Sequence, residues 1–362
     1  MTDTLAQLFQ PTRIGDIEMA NRVVMAPLTR CRADEPAGDI PGSAMNIEYY
    51  RQRSNAGLII SEGTQVSPGG KGYVATPGIY SDAQVEGWKP ITQVVHAAGG
   101  KIIAQIWHVG RISHPDLTGG AEPIAPSAVA AKVMAYGRNG KVPAPVPHAL
   151  SAEEIKEVVQ QYRQGAANAM RAGFDGVEIH GANGYLLDEF LRDGSNQRSG
   201  PYGGSLENRA RLLLEVTDAA IGVWGADRVG VRISPLNSYN DMLDSDPVGL
   251  TTYVSSQLSQ RGIAYLHLMR ADFFGVQQGD VVSAARAAFK GNLIGNMGYT
   301  PEEAAQAVSA GLLAGVAFGH HYVSNPDLVE RVRTGVALVE PDARTFYTND
   351  AHGYTDYPKL AG

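Results

Sequence analysis

"FDGVEIHGANGYLLDEFLRDGSNQRSGPYGGSLENRARLL", residues 174–213, writes a strand, a loop and a helix in succession. Its opening, "FDGVEIHG" (174–181), is apolar on both alternating faces and too short for a helix. Such a run reads as a strand covered on both sides, as in a parallel sheet clad by helices. "GPYGG" then breaks the chain, and a helical pattern follows near 205–224. His180, Asn183 and Tyr185 gather at the strand's end: an imidazole, an amide and a phenol.

The same unit recurs along the chain. Short apolar runs mark strands at 22–28, 56–64, 101–108, 174–181, 228–235, 263–269, 292–296 and 315–319. Amphipathic stretches mark helices at 43–54, 83–99, 152–171, 205–224, 246–261, 280–289, 300–311 and 325–335. Ser151 with Glu154 reads as a capping box for the third of these. Eight strand–helix units imply an α/β chain, a (β/α)8 TIM barrel with an N-terminal hairpin and inserted loops. The largest insert is the Pro/Gly-rich excursion between "KIIAQIWH" and "HALSAEE". No G-x-G-x-x-G follows the first strand, which weighs against a doubly wound dinucleotide fold. No break in composition divides the chain, so 1–362 reads as a single domain. The tail 340–362, rich in turn formers and tyrosine, is expected to pack across the barrel.

Composition narrows the function classes. The chain has 362 residues, 44% hydrophobic and 19% charged, with net charge −7. No Lys/Arg run is present, which argues against a nucleic-acid partner. Cys31 is the sole cysteine, so no internal disulfide can form. The start, "MTDTLAQLFQPTRIG", has neither the basic nor the apolar region of a signal peptide. No apolar run approaches the ~20 residues of a membrane span. These features together point to a cytoplasmic protein without a membrane partner. Oligomeric state leaves no legible signature.

In a barrel of this kind the reacting groups lie at the C-terminal ends of strands. Those ends carry Pro27, Leu28 and Thr29; Gly63; Gln105 and Trp107; His180, Asn183 and Tyr185; Arg232; Gly295 and Asn296; and Gly319 and His320. The glycines at 295–298 and 319 either present backbone N–H groups to a phosphate or make tight turns. Arg232, inside an apolar strand, needs a partner: a core carboxylate such as Glu178, or an anion or electron-rich ring. His180, Asn183 and Tyr185 form either a donor pair with a proton donor or a satisfied core histidine, a turn and a packing ring. A metal reading pairs His180 with His108 but lacks a third ligand, and no Cys pair or H-E-x-x-H occurs, so no metal is expected. No G-x-S-x-G elbow supports a hydrolase triad.

The chain resembles the Old Yellow Enzyme family of FMN-dependent ene-reductases. The resemblance runs through "LFQPTRIGDIEMANRVVMAPLTRCRA", "LIISEGTQVSPGGKGY", "AQIWHVGR", residues 175–216, "VGVRISP", "LIGNMGYT", "AFGHHYVSNPDLVERV" and "GYTDYP". It covers nearly the whole chain and is strongest with bacterial members active on enoates, maleimides and nitro compounds. Larger relatives share the 180–209 block but carry an iron–sulfur cluster, and this chain lacks the cysteines for one.

The resemblance implies FMN at the barrel mouth, reduced by NADPH or NADH and reoxidised by a small activated alkene. It places Thr29 at the flavin O4 region and Pro27, Leu28 and Gly63 along the ring. Gln105 and Arg232 would hold the pyrimidine end, with Arg232 stabilising negative charge near N1–O2. Gly295, Asn296, Gly298, Gly319 and His320 would surround the phosphate. His180 and Asn183 would donate to the substrate's carbonyl or nitro oxygen. Hydride from flavin N5 would reach the β-carbon, and Tyr185 would protonate the α-carbon. Tyr73, Trp107 and Tyr347 would shape the substrate pocket. The family's usual arginine after "AFG" is replaced here by His320, so the phosphate contact falls mainly to backbone N–H groups. The alternative function is a non-catalytic flavin-binding or sensor protein on the same barrel. No 2′-phosphate site is legible, so NADPH and NADH are not told apart.

Overall fold

The structure is a computed structural model that describes residues 3–360. Eight strands form the barrel: β1 Val23–Met25, β2 Leu58–Ile60, β3 Ile102–Trp107, β4 Val177–Gly181, β5 Val229–Ile233, β6 Tyr265–Met269, β7 Asn292–Asn296 and β8 Gly315–Phe318. Each pairs in parallel with the next, β8 pairs with β1, and β3 with β4, so the sheet closes and leaves no edge. Helices α1 Ala44–Gln52, α2 Asp82–Ala97, α3 Ala152–Arg171, α4 Leu206–Trp224, α5 Pro247–Arg261, α6 Val281–Ala288, α7 Pro301–Ser309 and α8 Leu328–Thr334 alternate with the strands. All eight expected strands and all eight expected helices are present. The Ser151–Glu154 capping box forms in both directions, at 3.2 and 2.7 Å.

Two apolar layers hold the barrel. Val24, Leu58, Ile60, Ile103 and Ile294 fill its interior, while Trp88, Ile91, Tyr162 and Phe174 belong to the larger helix–sheet core. Burying an aliphatic side chain of this size stabilises the fold by ~1.5–3 kcal/mol. The expected N-terminal hairpin pairs Thr12–Ile14 with Ile17–Met19. Its Ile14, Ile17 and Met19 join the interior cluster, and Asp16 N–H donates to Asp227 O at 2.9 Å, just ahead of β5. The hairpin therefore plugs the end where the strands begin, and the open mouth lies at their C-terminal ends.

Two features, and the way the tail is held, were not legible beforehand. The Pro/Gly-rich insert contains an antiparallel hairpin, Met134–Gly137 with Gly140–Pro143. Short helices occupy Leu186–Leu191 and His320–Ser324. The tail is held chiefly by two buried arginines that follow β1. Arg30 donates to Phe346 O and Gly353 O at 3.1 and 2.7 Å, and Arg32 to Asp350 O and Thr345 O at 2.8 and 3.0 Å. Tyr354 stacks on Tyr49 at 4.1 Å. An irregular segment thus finds partners for its carbonyls without a helix or sheet. Among the described residues no helix is long and apolar enough to cross a membrane.

One close approach inside the barrel sets the depth of its polar centre. Tyr265 lies across β5 at Gly230, where an added Cβ would sit 2.1 Å from the ring. This lets the Tyr265 hydroxyl donate to Glu178 at 2.9 Å. Gly230→Ala is therefore expected to overpack the interior and lower stability by roughly 1–3 kcal/mol. Urea denaturation checks this: the midpoint should fall with little change in slope, and an unchanged midpoint contradicts the packing described.

Candidate active site

The end of β4 and the turn after it carry the candidate reactive side chains: His180 in the strand, Asn183 and Tyr185 in the turn. Asn183 and Gly184 are both left-handed, at φ +60° and +74°. A Cβ on Gly184 would lie 2.6 Å from that of Asn240, so only glycine suits this position. Asp188 accepts the Gly184 N–H at 2.9 Å, and Leu186 N–H donates to His108 O at 3.1 Å. These bonds turn Tyr185 toward the mouth. Across the ladder His180 stands beside Arg232, and Glu178, one step deeper, beside Gln105.

Two of the three groups, His180 and Asn183, have a defined hydrogen-bonding state. His180 Nδ1 accepts the Ala182 N–H at 3.3 Å, so a neutral ring carries its proton on Nε2. Burial, and then the neighbouring Arg232 charge, lower its pKa well below the usual value and keep it neutral. Asn183 accepts through Oδ1 from Asn237 at 3.0 Å. The Tyr185 and Tyr73 hydroxyls share a hydrogen bond of 2.8 Å. Burial, then the Tyr239 hydroxyl, raise the Tyr185 pKa, so its phenol stays protonated. The Trp107 ring stacks on His180 at 5.7 Å and meets Tyr185 edge-on at 4.8 Å.

Two cavities open at the mouth. The inner one, about 830 Å³, is lined by Pro27, Leu28, Thr29, Asn183, Arg232, Asn296, Gly298, Gly319, His320 and His321, among others. The outer one, about 930 Å³, has Cys31, Arg32, Met45, Tyr73, Tyr136 and Asp350 on its walls. Thr29, Tyr185, Tyr239 and Tyr347 line both. The Cys31 thiol, pushed up to about 12 by burial and then by Glu62, is protonated and a weak nucleophile.

Several residues predicted from sequence stand elsewhere than expected. A Cβ on Gly295 would lie 2.5 Å from Leu313, so this glycine makes room for the loop that leads into β8. Gly63 is likewise a packing glycine, with the Trp107 indole 2.7 Å from where its Cβ would be. Gln105 and Trp107 are buried off the cavity walls, and the Gln105 amide donates to Glu178 at 2.8 Å. His180 is 3% exposed and flanked by Trp107 and Tyr185. His320 lines the inner cavity, but its side chain is 60% exposed and its Nε2 lies 3.3 Å from Glu340. The ion pair considered for Arg232 does not form. Its Nη2 donates to Asn296 Oδ1 at 2.8 Å, while Glu178 takes His267 at 2.9 Å.

Sequence reasoning missed Tyr136, Tyr239 and Asn237. Tyr136 lies in the unrecognised hairpin, and the other two follow β5 in "SPLNSYNDM". Their position just past a strand end was the one available signal.

Residues 7–338 match the model of the NADH:flavin oxidoreductase / NADH oxidase family. A probable flavin mononucleotide-dependent alkene reductase of Leishmania infantum is 48% identical over 357 residues, covering 97% of each chain. The structure of the old yellow enzyme homologue from Zymomonas mobilis superposes with a TM-score of 0.94 at 43% identity, covering 98% of this chain and 100% of that one. Morphinone reductase in complex with tetrahydroNAD gives a TM-score of 0.93 at 44% identity, with 98% of both chains covered.

A buried carboxyl ties the segment after β3 to the helix after Tyr185. Glu189 accepts the Arg111 N–H at 2.8 Å, and its other oxygen has no partner among the described residues. Burial, partly offset by Arg111, pushes its pKa up to about 8 from 4.5. The folded state therefore holds this proton more tightly than the unfolded state does. The associated stability is full below about pH 4.5 and is lost as pH rises through about 8. Glu189→Gln keeps an acceptor for Arg111 and should flatten the fall of the melting temperature between pH 5 and 8. A slope as steep as that of the wild type contradicts the assignment.

Proposed function

Because the chain belongs to the NADH:flavin oxidoreductase / NADH oxidase family and is an FMN-dependent oxidoreductase of the ene-reductase kind, we propose that it reduces activated C=C bonds with NADPH or NADH, using Tyr185 as proton donor. Enones, maleimides and nitroalkenes are the substrate class. The observation that carries this reading is the gathering of three donor groups at the mouth: Asn183 and Tyr185 line the inner cavity, and the His180 ring lies 5.2 Å from that of Tyr185.

The inner cavity suits FMN. Leu28 and Pro27 offer an apolar wall, while Thr29, Arg232 and Asn296 offer polar groups. Arg232 Nε is buried without a partner among the described residues, a donor left over for a ligand. Thr29 and Arg232 would hold the ring system. The backbone at Gly298, Gly319 and His320 would hold the phosphate, with the His321 ring on the same wall. FMN held there would supply hydride chemistry, replenished by the nicotinamide.

The protein's own groups do the remainder. His180 and Asn183 donate to the substrate oxygen and withdraw electrons from the alkene. Negative charge grows on that oxygen in the transition state, where fixed donors count most. Tyr185 gives its proton to the α-carbon. Tyr73, 2.8 Å away, is placed to restore it. The outer cavity takes the remainder of the substrate, with Tyr136, Tyr239 and Tyr347 as aromatic walls. The tail supplies Tyr347 and Asp350 to that wall, so barrel and tail act as one domain.

Tyr185→Phe tests the assignment. Flavin reduction by the nicotinamide should be nearly unchanged, while anaerobic reoxidation by cyclohexenone slows by ~10²–10⁴-fold, the usual cost of a lost general acid. Nitroalkenes should suffer less, because a nitronate can leave and be protonated by water. Equal slowing of both half-reactions, measured by stopped-flow absorbance, rules the role out.

A further inference from the structure

Asn183 can serve as a donor only if its amide is turned the right way, and a side chain outside the reactive set fixes that turn. Asn237 is fully buried in the loop after β5. Its Oδ1 accepts two backbone N–H groups, from Phe273 at 3.3 Å and Tyr239 at 3.4 Å. N–H groups only donate, so this end of the amide must be the oxygen. Its Nδ2 then donates to Asn183 Oδ1 at 3.0 Å. By the same rule Asn183 is fixed with its oxygen toward Asn237. Its backbone is committed too: Asn183 N–H donates to Ser234 Oγ at 2.7 Å, and its carbonyl accepts from Asn240 at 2.8 Å. Asn183 Nδ2 is left without a partner among the described residues, on a side chain that lines the inner cavity.

We propose that Asn237 is a positioning residue: it locks the Asn183 amide with N–H, not C=O, toward the substrate oxygen, and ties that orientation to the backbone at Phe273. The inference rests on the donor role given to Asn183 above. The inverted amide would set a lone pair against an oxygen that is gaining negative charge. Orientation therefore decides whether Asn183 helps or opposes the reaction.

Asn237→Asp is nearly isosteric and still accepts from Phe273 and Tyr239, but its carboxylate cannot donate to Asn183. Asn183 then turns over to donate to Asp, and presents its oxygen to the cavity. The test is phenol binding to the FMN-loaded protein, followed by the long-wavelength charge-transfer band and paired with enone kcat/KM. Affinity for the phenolate should fall roughly 10- to 100-fold, the scale of one hydrogen bond to a charged group. The deficit relative to wild type should shrink at low pH, where a protonated carboxyl can donate to Asn183 again. In an Asn183→Ala background the same change should have no further effect. If the Asp variant does not fold, Asn237→Leu leaves the amide free to turn and should show a smaller loss of the same kind.

Wild-type affinity in either folded variant overturns the proposal. So does a loss of equal size in the Asn183→Ala background. A wild-type holoprotein that binds phenol without any such band overturns the functional reading, and this inference with it.

Discussion

Glu178 brings a carboxylate into the closed interior of a barrel, where an unpaired charge would cost several kcal/mol. Three side chains, one from the adjacent β3 and two reaching across from β6, answer it: Gln105 at 2.8 Å, Tyr265 at 2.9 Å and His267 at 2.9 Å. Burial opposes its ionisation, but the hydrogen bonds from His267 and Gln105 and the Arg232 charge outweigh that and hold its pKa below the usual range. Burial lowers the His267 pKa, so the ring is neutral and donates through Nδ1. The charge that remains to balance Glu178 is Arg232, one step nearer the mouth. With Glu178 beneath it, the guanidinium can stay charged at the cavity wall, with Nε uncommitted. The depth of this cluster depends in turn on Gly230, which lets Tyr265 reach the carboxylate.

Above that charge pair, the reactive groups share one design. Each has a protein partner that orients it. The Ala182 N–H sets the His180 tautomer, and Asn237 sets the Asn183 amide. Tyr73 engages the Tyr185 hydroxyl. Preorganised donors cost no reorientation when charge develops, and this is where a protein site outperforms water. The hairpin plug at the opposite end leaves the mouth as the face on which such groups can meet a ligand.

The barrel was legible because each strand is a short apolar run and an amphipathic stretch follows each, one of them opened by the Ser151–Glu154 capping box. "GVEIHG" and "RVGVRISP" needed no long-range knowledge to be read as strands. The reactive trio was legible because it follows such a run directly. What stayed hidden depended on contacts between distant segments. Glu178 and Arg232 were adjacent by strand order, yet His267, from β6, takes the carboxylate. Gly63 and Gly295 sit at strand ends and read as cofactor glycines; that Trp107 and Leu313 take up the space of their missing Cβ atoms was not legible. His320 follows the last strand where an anion contact was expected, and its ring instead reaches Glu340 on the surface. Asn237 lies in a loop whose local sequence gives no sign that it will touch Asn183.

The central claim is that the charged, donor-lined mouth holds FMN and passes reducing equivalents from a nicotinamide to an alkene. Anaerobic absorbance titration of the FMN-reconstituted wild-type protein tests it most directly. The expected result is stoichiometric flavin binding, loss of the yellow colour on adding NADPH or NADH, and its stoichiometric return on adding cyclohexenone or N-ethylmaleimide. A protein that does not retain FMN, or whose reduced flavin is reoxidised by oxygen but by no activated alkene, contradicts the account.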